Sequence, residues 1–214
     1  MHLQKGMNFG IGKGYSIILM SQRRNAPYRD KIEDDGLTLI YEGHDQPSSK
    51  NSQFDPKTAN QTELTSTGRL TENGKFHRAA QAFKNGKRAP ELVRVYEKLY
   101  KGLWSFNGTF ELVDSWIESD GCRNVFRFRL RLSDVQPDDS LTIRKSAEGL
   151  RLIPSDVKKA VYERDGGKCR ICGATNELHF DHILPFSKGG SSNTAANVQL
   201  LCARHNLQKS DKFV

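Results

Sequence analysis

Four cysteines occur in this 214-residue chain, and two of them stand as Cys169-Arg-Ile-Cys172. A second pair at the same spacing, Cys202-Ala-Arg-His205, follows thirty residues later. Between the pairs lies Leu178-His-Phe-Asp-His-Ile-Leu-Pro185, which sets Asp181 beside His182. A lone Cys-x-x-Cys is compatible with redox chemistry, structural zinc or a catalytic metal. A thioredoxin-type motif opens a helix within a βαβ unit. Here the motif precedes a β-like segment and has a partner pair. The spacing therefore predicts a closed, tetrahedral Zn2+ site made by Cys169, Cys172, Cys202 and His205. A segment this short has little core, so the metal would supply folding free energy.

With four ligands already on zinc, Asp181 and His182 are left for other work. The carboxylate suits a hard divalent cation, and the imidazole can take a proton from water. Phosphodiester hydrolysis needs both, because charge builds on the phosphate while a nucleophile is made at neutral pH. Asn206, next to His205, offers the cation a second oxygen. Lys209, one helical turn further, is placed to meet a phosphate. The competing reading is an Asp-His pair that only stabilises a turn; Asn197, Asn206 and the zinc pairs in fixed order weigh against it. His179 reads as structural or as a phosphate contact.

The composition fits such a role. A net charge of +8 favours a polyanionic partner. Hydrophobic residues make up 36% and charged residues 27%, the balance of a globular protein. No apolar run approaches a membrane span, and Tyr15 to Met20 is only strand length. The Gly-rich start carries no cleavage-site pattern, so a cytoplasmic location without membrane association is expected. Four cysteines without a secretory signal suggest metal or free thiols rather than disulfides, with Cys122 a plain thiol.

The elements that must position these residues are legible in outline. Tyr15–Met20, Leu37–Tyr41, Leu92–Tyr96, Thr109–Val113 and Val125–Leu132 read as strands. The last alternates apolar residues with Arg127, Arg129 and Arg131, a strip facing solvent or nucleic acid. Asn73 to Lys87 has helical spacing, with Phe76, Ala80 and Phe83 on one face and Gly86 as a stop. Gln46 to Thr67 is polar and reads as a long surface loop. Residues 134–152 read as a linker, and a helix begins at Pro154-Ser155-Asp156 and ends at Gly166-Gly167. The predicted division is a domain over 1–133, the linker, and a metal module over 153–214.

Taken together, CRIC, LHFDHILP and GGSSNTAANVQLLCARHNLQKSD resemble an HNH nuclease of the ββα-metal type, in the zinc-stapled form of McrA-like restriction enzymes. The resemblance covers the last sixty residues or so. It implies that His182 is the general base, that Asn197 orients the loop and the base, and that Asp181 and Asn206 ligate a catalytic Mg2+ or Mn2+. Two departures stand out: His205 ligates zinc where Cys is common, and Asn206 stands where His is common. Both keep ligand capacity.

Asn25 to Gln46, NAPYRDKIEDDGLTLIYEGHDQ, resembles the SRA domain, a PUA-like curved β fold that flips a modified cytosine from the duplex. Its family's ordered Tyr, acidic cluster, Gly and Tyr-x-Gly fall here on Tyr28, Asp30, Gly36 and Tyr41-Glu-Gly43. Gln61, the Asn73 helix, LVRVYE and SFNGTFELV follow in order, although Phe106-Asn107-Gly108 replaces a Tyr-Asp-Gly. The Arg29–Asp35 stretch is one residue longer than the family's. The resemblance implies Tyr28 and Tyr41 as stacking walls and Asp30 as acceptor from the cytosine amino group. His44, Arg23 and Arg24 are candidates for phosphate or groove contacts, or plain surface residues.

The expected fold class is α+β, a curved SRA-like β-barrel domain plus a small ββα-metal HNH domain with structural zinc. The expected activity is hydrolysis of double-stranded DNA near 5-methylcytosine or 5-hydroxymethylcytosine, a type IV-like restriction endonuclease. One such site cuts one strand, so a double-strand break implies a homodimer or two visits. Other readings are a nuclease aimed at phosphorothioate DNA, RNA or unmodified DNA, and a zinc-stabilised DNA-binding module that does not cut.

Overall fold

The computed structural model describes residues 6–12, 14–23, 25–33, 36–47, 55–133, 152–185 and 188–209. Residues 134–151 of the linker expected over 134–152, Arg24, and the acidic residues Asp34 and Asp35 lie outside them, as do residues 48–54 of the loop read between Gln46 and Thr67. None of the described helices is long and apolar enough to cross a membrane.

Seven strands form one sheet in the order β1-β2-β5-β6-β7-β4-β3. They are β1 (Met7–Gly12), β2 (Tyr15–Met20), β3 (Lys31–Ile32), β4 (Thr38–Glu42), β5 (Glu91–Tyr100), β6 (Leu103–Ser119) and β7 (Asn124–Ser133). All five expected strands are present, and β5 and β6 run well beyond their expected limits. β1 and β3 escaped the sequence reading: the first is Gly-interrupted and the second has two residues, too short for any period. Neighbours pair antiparallel except β2 with β5, which run parallel with Ser16 opposite Val93.

One helix, α1 (Glu72–Lys84), packs on this sheet. Thr71 caps it by accepting from the Gly74 amide at 3.0 Å. It ends in a Schellman motif: Gly86 at φ 66° donates to Phe83 O, and Lys87 donates to Ala82 O. Phe76 is fully buried, 5.2 Å from Phe9 on β1 and 5.9 Å from Phe128 on β7. Those strands are four places apart, about 19 Å across a flat sheet at about 4.8 Å per step. One ring can bridge them only because the sheet curls around the helix. Met7, Ile18, Tyr41, Val93, Phe110 and Leu130 close the same core.

The arginine strip on β7 is not uniformly exposed. Arg129 and Arg131 face solvent, but Arg127 is buried. Its guanidinium lies 3.0 Å from Glu42 Oε2 and 2.8 Å from Glu118 Oε1. Arg123 sits beside it, 2.6 Å from Asp45 and 3.7 Å from Glu42. The alternation placed Arg127 on the solvent side correctly as a face, but β4 and the loop after it cover that part of the sheet with acids.

The remaining elements form a second, smaller unit. They are α2 (Ser155–Arg164), β8 (Leu178–His182), β9 (Val198–Cys202) and α3 (Ala203–Lys209), with a 3-10 turn over Ala195–Asn197. β8 and β9 pair antiparallel, Asp181 opposite Gln199. Val157, Val161, Val198 and Leu200 make its small core with Ile153.

Removing Arg127 would leave Glu42 buried beside one distant guanidinium. Arg127→Ala is expected to cost about 3 kcal/mol in urea denaturation, whereas Arg129→Ala at the exposed position should change stability by roughly 0.5 kcal/mol or less. Equal losses from the two variants would overturn this account.

Candidate active site and base pocket

Zinc-type ligands converge where α3 follows β9. The ligand atoms of Cys169, Cys172, Cys202 and His205 all lie within 4.8 Å of one another. Cys172 Sγ is 3.8 Å from Cys202 Sγ, and His205 Nδ1 is 3.4 Å from Cys169 Sγ and 3.3 Å from Cys202 Sγ. A tetrahedral zinc with bonds of about 2.3 Å to sulfur and about 2.0 Å to nitrogen sets S–S edges of about 3.8 Å and S–N edges of about 3.5 Å. The donor set fits the ion in both chemistry and spacing. Burial pushes the Cys169 thiol up, but the backbone amides of Cys202, Cys172 and Ile171, with His205, bring it down to about 6. That favours the thiolate a metal needs.

The other five expected residues of this module sit on β8, in the turn before β9 and on α3. Asp181 and His182 end β8, both buried, and Asn206 lies buried on α3, which packs against β8. The buried Asn206 carbonyl oxygen has no hydrogen-bond partner among the described residues. An enclosed acceptor with nothing to accept from is the polar orphan a cation would satisfy. His182 Nε2 is 2.8 Å from the Ser192 hydroxyl, itself buried. Asn197 holds the loop between them: its Oδ1 accepts from Leu184 N at 2.8 Å, and its Nδ2 donates to Leu184 O and Ser191 O. Gly190 completes that turn, since a Cβ there would strike the Leu184 carbonyl and lie 2.7 Å from Asn197 Nδ2.

Lys209 does not point outward. Its side chain is buried, with Nζ 2.5 Å from Asp181 Oδ2 and donating to the His182 carbonyl. An ammonium thus neutralises the carboxylate, and a phosphate contact would need Lys209 to leave it. Ser192 was missed in the sequence. Its only signal is a hydroxyl within the Gly-Gly-Ser-Ser turn that faces the Asp-His pair.

In the larger unit, Tyr28, Asp30 and Tyr41 also gather, with different exposure. Asp30 accepts from the backbone amides of Ser21 and Glu42, each at 3.2 Å. Burial raises its carboxyl to about 7, against those two amides. Tyr28 is half-buried, and the His44 imidazole stacks on it at 4.6 Å and 6°. Lys57 Nζ also lies over the Tyr28 ring, at 4.2 Å. Tyr41 is fully buried, its hydroxyl 2.7 Å from His44 Nε2. His44 is therefore no loose surface residue: Asn73 brackets its backbone from both sides, and burial lowers its imidazole to about 4, leaving it neutral. Gly43 permits this, because a Cβ would come within 2.6 Å of Gln61 Oε1 and 2.8 Å of Asn73 Oδ1. His44 follows Tyr-x-Gly directly, and that adjacency was the signal for its role.

Two outcomes are expected. Cys169→Ser should lose bound zinc, read by metal analysis, and unfold the 153–214 module; a folded, zinc-loaded variant would contradict the ligand set. For Asp30, the folded protein holds the proton more tightly than the unfolded chain, whose carboxyl titrates near about 4. Its stabilisation is full below that pH and lost as pH rises through 7. Asp30→Asn should flatten the fall in Tm between pH 4 and pH 7, and an unchanged slope would show that Asp30 ionises freely.

Residues 169–212 match the HNH endonuclease family model. No curated protein matches the chain significantly. Among solved structures, the SUVH5 SRA complex with methylated CHH DNA is 21% identical at a TM-score of 0.40, covering 63% of this chain and 77% of that one. The SUVH5 SRA complex with fully hydroxymethylated CG DNA gives 21%, 0.41 and the same coverage. KRYPTONITE in complex with mCHG DNA and SAH gives 16% and 0.39, covering 65% and 30%. Likeness at these scores assigns nothing further to the larger unit. The smaller unit thus joins a cysteine-histidine cluster and an Asp-His strand end to a match with the HNH endonuclease family model.

Proposed function

We propose that the chain is a modification-dependent DNA endonuclease, with a base-reading domain over 1–133, a linker over 134–152 and a nuclease over 153–214. The observation that carries the catalytic half is the buried Asn206 oxygen, without a partner among the described residues, in the same small unit as buried Asp181 and His182. His182 takes a proton from the attacking water, with Ser192 at Nε2 fixing the ring. Asn197 keeps the loop that carries Ser191 and Ser192 in register. A Mg2+ or Mn2+ held by Asp181 and Asn206 would neutralise charge at the phosphate and at the leaving oxygen. Lys209 then passes from Asp181 to a DNA phosphate.

Base reading rests on Tyr28 and Asp30. A half-buried ring already used for stacking can stack a flipped base, and a carboxyl near neutral pKa can accept from a cytosine amino group once ionised. Tyr41, enclosed in the core, supports the pocket through its hydroxyl, and His44 takes the stacking position beside Tyr28. The target is 5-methylcytosine or 5-hydroxymethylcytosine in double-stranded DNA, the role is type IV-like restriction in the cytoplasm, and two protomers make the double-strand break.

A second reading, DNA binding without cutting, draws on the Lys209–Asp181 pair, which occupies the carboxylate. Cleavage of matched unmodified, 5-methylcytosine and 5-hydroxymethylcytosine duplexes, with Mg2+ or Mn2+ and with chelator, separates the two. Metal-dependent cutting of modified duplexes is expected, and His182→Ala should lower it by about 100-fold or more while keeping zinc and the fold. Binding with no cutting under either metal would favour the second reading, and equal cutting of all three duplexes would sink base reading.

A further inference from the structure

α2 belongs to the nuclease by its core and to the large sheet by its other contacts. Val157 and Val161 face Val198 and Leu200, and Arg164 donates to the carbonyls of Ala195 and Val198. On the sheet side, Lys158 Nζ is 2.8 Å from Glu97 Oε2 on β5 and 2.8 Å from Asn107 Oδ1 on β6. Asn107 Nδ2 donates to the same Glu97 oxygen at 3.2 Å. Ser155 bonds Glu97 and, at 2.7 Å, Gln22. One helix length on, Tyr100 donates to Glu163 at 2.6 Å.

Glu97 and Lys158 are 1% and 3% exposed, a degree of burial that surface ion pairs never reach. Burial pushes the Glu97 carboxyl up, yet the Lys158 charge and the surrounding hydrogen bonds hold it net below its ordinary value. Burial pulls the ammonium down, so the pair persists as ions only while both stay together. The chain also crosses between units without slack: Leu152 is buried in the sheet's core and donates to Gly36 O, while the next residue, Ile153, is buried in the nuclease core.

We infer that the Glu97–Lys158–Asn107 node, with Ser155 and Gln22, splints the nuclease to the sheet and so sets the distance between the recognised base and the scissile phosphate. Gln22 strengthens the case, because its neighbour Ser21 donates to Asp30 in the base pocket. Glu97, Lys158 and Asn107 are positioning residues, and the cut site is measured out by protein geometry rather than by the span of 134–151. The inference rests on the proposed function for its cutting readout, but the splint itself does not.

The test uses the full chain as wild type, Lys158→Glu, and the swapped pair Glu97→Lys with Lys158→Glu. Cut positions are mapped on a duplex with one modified cytosine, and solution dimensions are measured by small-angle X-ray scattering. Wild type should cut at one or two positions. Lys158→Glu should spread the cuts and enlarge the radius of gyration, and the swap should restore both. If Lys158→Glu fails to fold, Asn107→Ala, which removes one bond and no charge, takes its place in the same two measurements. Unchanged cut positions and dimensions in the destabilised node would overturn the inference. If wild type cuts nothing, the functional reading falls, while scattering alone still decides whether the node joins the two units.

Discussion

The cysteine-histidine cluster is the constraint on which the nuclease unit depends. Among the described residues its apolar core cluster has five buried members, little with which to offset chain entropy in a unit of this length. The cluster brings the turn after α2 to the start of α3, beside the hydrogen bonds that Asp165 and Arg170 make with Leu200 on β9. Asn206 follows a zinc-type ligand directly and Asp181 sits on the strand that pairs with β9, so the staple and the chemistry share one frame. Structure comes first in this unit and function is placed by it.

The large unit is held by a different balance. Arg123 and Arg127 are buried among Glu42, Asp45 and Glu118 where β7 meets the loop after β4. Charges so enclosed stabilise only as a complete set, since removing one strands another. The reward is precision. Glu42 also accepts from Arg29 N, its own amide donates to Asp30, and Asp45 N donates to the Tyr28 hydroxyl. The charge cluster thereby fixes the two residues read as the base pocket, at the junction of two loops that would otherwise wander.

The metal module was legible because metal ligation fixes both residue type and spacing, so Cys169, Cys172, Cys202 and His205 announce themselves; Asp181 and His182 are then left over, and the roles of Asp181 and Asn206 are what the resemblance to HNH nucleases implies. Strand existence was legible from alternation, as in VFRFRLRL. Burial of particular side chains was not: the pattern assigns Arg127 and Lys209 to polar faces, but only tertiary packing puts an acid against each. Tyr41, expected at a pocket wall, is enclosed in the core, and His44, expected at a phosphate, groove or surface position, stacks on Tyr28, for the same reason. An aromatic residue in a strand reads identically whether its ring lines a pocket or fills the core, and here the curl of the sheet closed over Tyr41. Lys158, in an amphipathic helix, gave no sign of a partner sixty residues upstream.

The parallel pairing of β2 with β5 has a consequence for how the molecule is made. Ser16 has its partner at Val93, so β2 has no neighbour on that side until the whole stretch carrying β3, β4 and α1 has formed. Closing so long a loop is slow, and the edge waits exposed meanwhile. On a ribosome the N-terminal hairpin of β1 and β2 would emerge early, apolar and half-paired, and find its place only when β5 arrives. The hairpin could then dock on a sheet nucleated by β5, β6 and β7, the three consecutive antiparallel strands, so that strands early in the sequence would join the sheet late.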